Sequence, residues 1–78
     1  GMRPPRDTIV IGEIGLTGEI RNVQNLEKIL KESYRMGYRK AVVPYSNEKK
    51  INESVRKVME IRGCKLVRDA ISFCFDQS

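Results

Sequence analysis

With 78 residues, 40% of them hydrophobic and 32% charged, this chain has room for one small domain and is too apolar to stay disordered. No apolar run approaches the roughly 20 residues of a membrane-crossing helix, and Thr8–Ile11 is too short for the core of a signal peptide, so a cytoplasmic domain without membrane contact is expected. The net charge of +5 suits phosphate-bearing partners, although 10 acidic residues are interleaved with 15 basic ones.

Gly1 ahead of Met2 reads as a tag remnant, and Pro4-Pro5 make residues 1–7 an extended leading segment. Residues 8–78 then form the domain. Thr8-Ile9-Val10-Ile11 is β-branched and predicts a strand. Three glycines follow in seven residues, at Gly12, Gly15 and Gly18, and the unit Gly-Glu-Ile occurs twice. That density predicts strand, tight turn and strand across about Ile9–Arg21. Asn25 stands as an N-cap ahead of a helix opened by Leu26. Leu26, Ile29, Leu30 and Ser33 share its inner face, and Gly37 ends it as the residue past the cap.

Ala41-Val42-Val43 predicts a buried strand stopped by Pro44. A second helix, capped by Ser46 or Asn47, carries Ile51, Val55, Val58 and Met59 at helical spacing, with Arg62 at its end and Gly63 closing it. Cys64–Val67 predicts another strand. Asp69 caps a last helix with Ile71, Cys74 and Phe75 on one side. The expected order is β-hairpin, α, β, α, β, α, with a right-handed parallel crossover between the strands at 41–43 and 64–67.

The two cysteines, Cys64 and Cys74, form no C-x-x-C pair, and the chain has no histidine. A zinc site would need carboxylates to complete its ligands. Two reduced, core-facing thiols are the expectation, with no metal site. Neither a Walker A sequence nor a dinucleotide-binding fingerprint is present, so no cofactor is expected.

One stretch carries a resemblance. Val10-Ile11-Gly12-Glu13-Ile14-Gly15-Leu16-Thr17-Gly18-Glu19-Ile20-Arg21 continues through Leu26-Glu27, Lys31-Glu32 and Gly37-Tyr38-Arg39-Lys40-Ala41-Val42-Val43-Pro44 to about Asn47. It resembles the C-terminal Lon-protease-like domain of the RadA (Sms) family of bacterial DNA-repair proteins. The motif residues are Gly12, Glu13, Gly15, Thr17, Gly18, Glu19 and Arg21. Asn22 departs from the family's usual proline, and Tyr45 from a common lysine. The resemblance implies an α/β (α+β) piece similar to the second half of a Lon-like domain, of the ribosomal-protein-S5 domain 2-like type. It also implies a parent protein that is an ATPase in recombination repair, whose Lon-like domain scaffolds a ring and offers a basic surface to DNA.

More distantly, the same stretch resembles the proteolytic domain of Lon itself. Lon proteases pair a serine nucleophile with a lysine base, because a serine hydroxyl attacks only when a base takes its proton. The position matching that lysine is Glu27, and Lys28 is turned about 100° around the helix from it. The segment that brings the serine precedes the hairpin in Lon and has no match here. No catalytic residue is therefore expected, and the chain is read as a non-enzyme; the alternative is a remnant of a Lon-type serine–lysine peptidase domain.

For DNA contact the sequence offers Arg35, Arg39 and Lys40; Lys49 and Lys50; and Arg56 and Lys57, joined by Arg62. Phosphate contact requires only positive charge and donors. Tyr34, Tyr38 and Tyr45 lie near the first two groups and can stack on bases when exposed. A sheet lacking its neighbouring strand leaves an open edge, which recruits other chains. Self-association through that edge or through a truncated apolar face is expected.

Overall fold

The computed structural model describes residues 7–76, with side-chain surroundings given through Cys74. Of the extended segment expected over 1–7, residues 1–6 lie outside the described residues, as does the side chain of Phe75. In chain order the elements are β1 (Thr8–Val10), β2 (Glu13–Ile14), β3 (Ile20–Arg21), α1 (Leu26–Arg35), β4 (Lys40–Pro44), α2 (Tyr45–Glu48), α3 (Glu53–Arg56), β5 (Glu60–Cys64) and α4 (Val67–Asp76). The class is mixed α/β, as expected.

A three-stranded parallel sheet runs in the order β1-β4-β5. The central strand is the most apolar, and its Ala41, Val42 and Val43 are fully buried. Successive side chains on a strand point to opposite faces. Ala41 and Val43 therefore meet Leu26 and Leu30 of α1, Val55 of α3, and Ile51 and Met59. Val42 points the other way, into a smaller cluster with Cys64, Ala70 and Cys74. Helices cover both faces, which is why the buried stretch of β4 from Ala41 to Pro44 is apolar throughout.

β1 corrects the expected hairpin. It pairs with β4 in parallel, Ile9 opposite Ala41 and Val10 opposite Val42. The hairpin proper is β2 with β3, a separate antiparallel pair with Glu13 opposite Arg21. The chain leaves the sheet just after Ile11, whose N–H still donates to the Val42 carbonyl at 2.8 Å. At Gly12 the backbone passes so close to β3 that a Cβ would lie 2.5 Å from Ile20 Cγ2. The hairpin then crosses the carboxyl end of the sheet, where Ile20 N–H donates to the Lys65 carbonyl at 2.7 Å.

α1 follows the sequence closely. Leu26, Leu30 and Ser33 are buried on its inner face. Its end is a Schellman motif: Gly37 N–H reaches the Tyr34 carbonyl and Tyr38 N–H the Ser33 carbonyl, both at 3.0 Å. Gly37 has φ 106°, a conformation that a side chain resists. Asn25 does occupy the N-cap position, but it makes no side-chain cap bond and sits at φ 58°. Asparagine is among the few residues that enter this left-handed region readily.

Four further expectations are corrected. The second helix is two short turns, α2 and α3, separated because the Asn52 side chain caps α3 by accepting from Ser54 N–H at 2.9 Å. Ile51, Val55 and Met59 still face one core, since a turn, a helix and a turn can deliver the same four-residue spacing. The next strand lies at Glu60–Cys64 instead of 64–67, with Arg62 and Gly63 inside it. α4 begins at Val67, so Asp69 falls in its first turn and does not cap it. Pro44 lies within β4, paired with Cys64.

Candidate functional site

The motif residues build a self-contained turn. Gly18 N–H donates to the Gly15 carbonyl at 3.1 Å, and Gly15 N–H to the Glu19 carbonyl at 2.9 Å. Gly18, at φ 85°, supplies the left-handed step that returns the chain. The Glu19 carboxylate accepts from the Thr17 hydroxyl and, at 2.9 Å, from Arg21 Nη2. The Thr17 hydroxyl bond, Glu19's own backbone N–H and the Arg21 side chain together hold the Glu19 pKa down to about 2 from its ordinary 4.5. Because the folded pKa is depressed, the stabilisation is fully present above about pH 4.5 and fades as pH falls toward 2. A carboxyl-carbon NMR titration is expected to place the Glu19 midpoint near 2. Thr17→Val should raise that midpoint, and a wild-type midpoint above 4 would remove the network.

Glu27 is half-buried, and its Oε1 accepts from Asn52 N–H at 3.0 Å. The carboxylate thus ties the first turn of α1 to the start of α3. Asn47 makes a parallel tie, accepting from Val23 N–H at 3.0 Å, and the Ser46 hydroxyl donates to Asn22 beside it. The buried Ser33 hydroxyl donates to the Ile29 carbonyl at 2.8 Å, a bond internal to the helix. Cys64 and Cys74 are free and buried in the smaller cluster. Burial pushes both thiols above their usual range, with Asp69 adding to the effect at Cys64. Among the described residues no three of His, Cys, Asp and Glu come together to hold a metal ion.

The predicted cations do not converge. Arg35 pairs with Glu32 at 3.1 Å. The Arg39 guanidinium lies 4.0 Å from the Tyr34 ring centroid and donates to the Tyr34 and Tyr38 carbonyls. Both stand at the C-terminal end of α1. Lys50 lies at the opposite end, in the hollow formed with Asn25 and Glu27; ten helical residues separate the ends by about 15 Å. Lys49 is exposed in the turn beside Lys50, and Lys57 is exposed just beyond α3. Lys40 is half-buried at the start of β4. Arg56 is half-buried, donating to the Glu48 carbonyl with the Glu48 carboxylate 3.9 Å away.

A different pair of cations shares one concavity. Tyr45, Arg62, Lys65, Asp69 and Phe73 line a trough along the outer side of β5. The Arg62 guanidinium sits 4.6 Å from the Phe73 ring centroid, and Lys65 Nζ 4.7 Å from that of Tyr45. Arg62 belonged to a predicted group, whereas Lys65 and Phe73 did not. These residues are dispersed along the chain, and only the β4–β5 pairing and the return of α4 bring them together.

The second concavity is apolar. Val10, Ile14, Ile20, Val67, Ile71 and Cys74 line a cleft of about 280 Å³ between β1, the hairpin and α4. Val10, Ile14 and Ile71 are each more than half exposed. β1 pairs only with β4, so its other edge has no strand beside it among the described residues.

Comparison with known proteins places these features. The sequence model of the family described as "Subunit ChlI of Mg-chelatase" matches residues 2–47, more than half of the chain. This chain belongs to the ChlI family. The ChlI match covers β1, the hairpin, α1 and β4, so one wall of the apolar cleft lies within it. Arg62, Lys65 and Phe73 of the trough lie beyond it. Proteins named DNA repair protein RadA match further along the chain. That of Escherichia coli K12 is 42% identical over 68 residues, 87% of this chain and 14% of that protein. Those of Chlamydia pneumoniae and Aquifex aeolicus are 40% and 39% identical over 67 and 71 residues, 86% and 91% of this chain. The chain spans about 15% of the length of these relatives. No helix among the described residues is long and apolar enough to cross a membrane.

Proposed function

We propose that this chain is a non-catalytic assembly piece of a RadA-like recombination and DNA-repair protein. On this reading it is built as the second half of a Lon-protease-like, ribosomal-S5-type domain, works in the bacterial cytoplasm and offers a basic face to DNA. The observation that carries the reading is the meeting of an apolar cleft with the edge of β1 that no strand among the described residues covers. A strand edge presents N–H and C=O groups to any second strand, and apolar side chains beside it add burial to the same contact. The occupant we assign is a second copy of the chain. An edge strand can pair with its own copy antiparallel about a two-fold axis, and each copy then covers the cleft of the other.

Two features support a role without chemistry. The side chains lining the cleft are aliphatic apart from the Cys74 thiol, so they include no carboxylate, amine or imidazole for acid–base work. At the position matching the Lon lysine, Glu27 is engaged by the Asn52 backbone. The names of the RadA relatives supply the repair context, and the net charge of +5 suits a nucleic-acid partner.

The test is light scattering on the full chain from low to high micromolar concentration. A defined dimer that forms with concentration supports the reading. A sharp monomer throughout sinks it.

A further inference from the structure

We propose that the trough along β5 binds single-stranded DNA. The inference rests on the repair reading for its choice of nucleic acid, but its geometry is independent of the apolar cleft. Arg62 and Lys65 are exposed, and neither forms an ion pair among the described residues, unlike Arg21, Arg35 and Arg56. Each rests on an aromatic face instead, Arg62 on Phe73 and Lys65 on Tyr45.

That arrangement suits phosphate and base together. A guanidinium stacked on a ring keeps its N–H edge free for phosphate oxygens, and its outer face free for a base. Stacking also limits the rotamers of Arg62 and Lys65 before any ligand arrives, which lowers the ordering cost of binding. The two are three positions apart, Arg62 within β5 and Lys65 in the bend just past its end, so they can meet different phosphates of one strand. Tyr45 is 44% exposed, enough to offer a ring to a base. Base faces are available in a single strand and hidden in a duplex, which decides between the two forms. Asp69 sets one carboxylate on the same wall, and its charge opposes binding.

The experiment is fluorescence anisotropy on the full chain with a labelled oligo-dT strand, a blunt duplex of equal length and an acidic peptide. Salt is varied between about 50 and 200 mM, with light scattering on the same samples. Single-strand binding is expected to exceed duplex and peptide binding. The double substitution Arg62→Ala with Lys65→Ala should make the slope of log affinity against log salt shallower by about 1.4, the value for two lost phosphate contacts on a single strand. Tyr45→Ala should weaken binding about fivefold or more. Asp69→Asn should strengthen it, a gain that no loss of folding can imitate. Lys49→Ala with Lys50→Ala should leave the affinity within about twofold, since those residues lie outside the trough. Circular dichroism confirms that each variant folds.

An unchanged slope in the Arg62, Lys65 variant, equal affinity for duplex, preference for the acidic peptide, or no binding at 50 mM salt would each overturn the assignment. A dimer that ignores DNA removes the trough and leaves the assembly reading standing. A monomer that binds the strand does the reverse.

Discussion

Leu30→Ala is expected to lower the stability of the fold by about 3–5 kcal/mol. Leu30 is fully buried on the inner face of α1, in the cluster that joins Ala41 and Val43 of β4 to Ile51, Val55 and Met59. Removing a buried leucine side chain costs about 3–5 kcal/mol, from lost transfer energy and the cavity left behind. A chain of this length holds only about 4–12 kcal/mol in total, and small domains bury too little surface to sit at the top of that range. The substitution therefore removes between about a quarter and all of the stability. Urea unfolding followed by circular dichroism reads the effect directly. Leu16→Ala is the matched control, because Leu16 stands fully exposed at the hairpin tip and should move the midpoint little. A Leu30→Ala loss below about 1 kcal/mol would mean that α1 does not pack on the sheet as described.

α1 was legible because one element carried several agreeing signals. Leu26, Leu30 and Ser33 recur at helical spacing, and Gly37 stands where a Schellman turn needs φ above zero. β4 was legible for its run of small β-branched residues. The strand partners were not, because pairing is a long-range choice. Nothing local to Thr8–Val10 says that its neighbour is Lys40–Val42 instead of the chain beyond Gly12. Over 45–64 two local signals compete. Ile51, Val55 and Met59 have helical spacing, yet Asn52 ahead of Glu53 and Ser54 is a capping signal that splits the segment. Glu60-Ile61-Arg62-Gly63-Cys64 alternates in period two, but Gly63 looked like a helix stop. It lies in β5, where a Cβ would collide with the Glu48 side chain.

The candidate surfaces divide the same way. The hairpin motif gave its turn away through glycine spacing, and the structure adds why Thr17, Glu19 and Arg21 belong with those glycines: they close one carboxylate network. The cations grouped by proximity in sequence lie at opposite ends of α1, and Arg35 and Arg56 stand beside carboxylates, because adjacency along the chain does not fix which side of a helix or turn faces out. The trough needed the tertiary fold. Tyr45 follows β4, Arg62 lies in β5, Lys65 follows it, and Phe73 returns on α4. These four meet only when β5 pairs beside β4 and α4 folds back across the opposite face from α1.

Val10→Lys is expected to dissolve the proposed dimer. Val10 is 53% exposed, lines the apolar cleft and belongs to β1, whose outer edge has no strand beside it among the described residues. In a two-fold contact each substitution is felt twice. Fully burying a valine contributes about 1.5–3 kcal/mol; with about half of Val10 already covered in the monomer, two copies lose about 1.5–3 kcal/mol, a weakening of about 10- to 10²-fold. A lysine adds the cost of desolvating an unpaired ammonium, and lysine on an edge strand is a common guard against pairing. Met36→Lys, at the far end of α1 and 74% exposed, should leave association unchanged. Sedimentation velocity across the concentration range separates the outcomes, with thermal melts to show that both variants fold. If Val10→Lys associates as the wild type does, the contact lies elsewhere and β1 is not its seam. If it is monomeric while Met36→Lys is not, the cleft and the free edge act as one surface, and its removal should leave single-strand binding in the β5 trough intact.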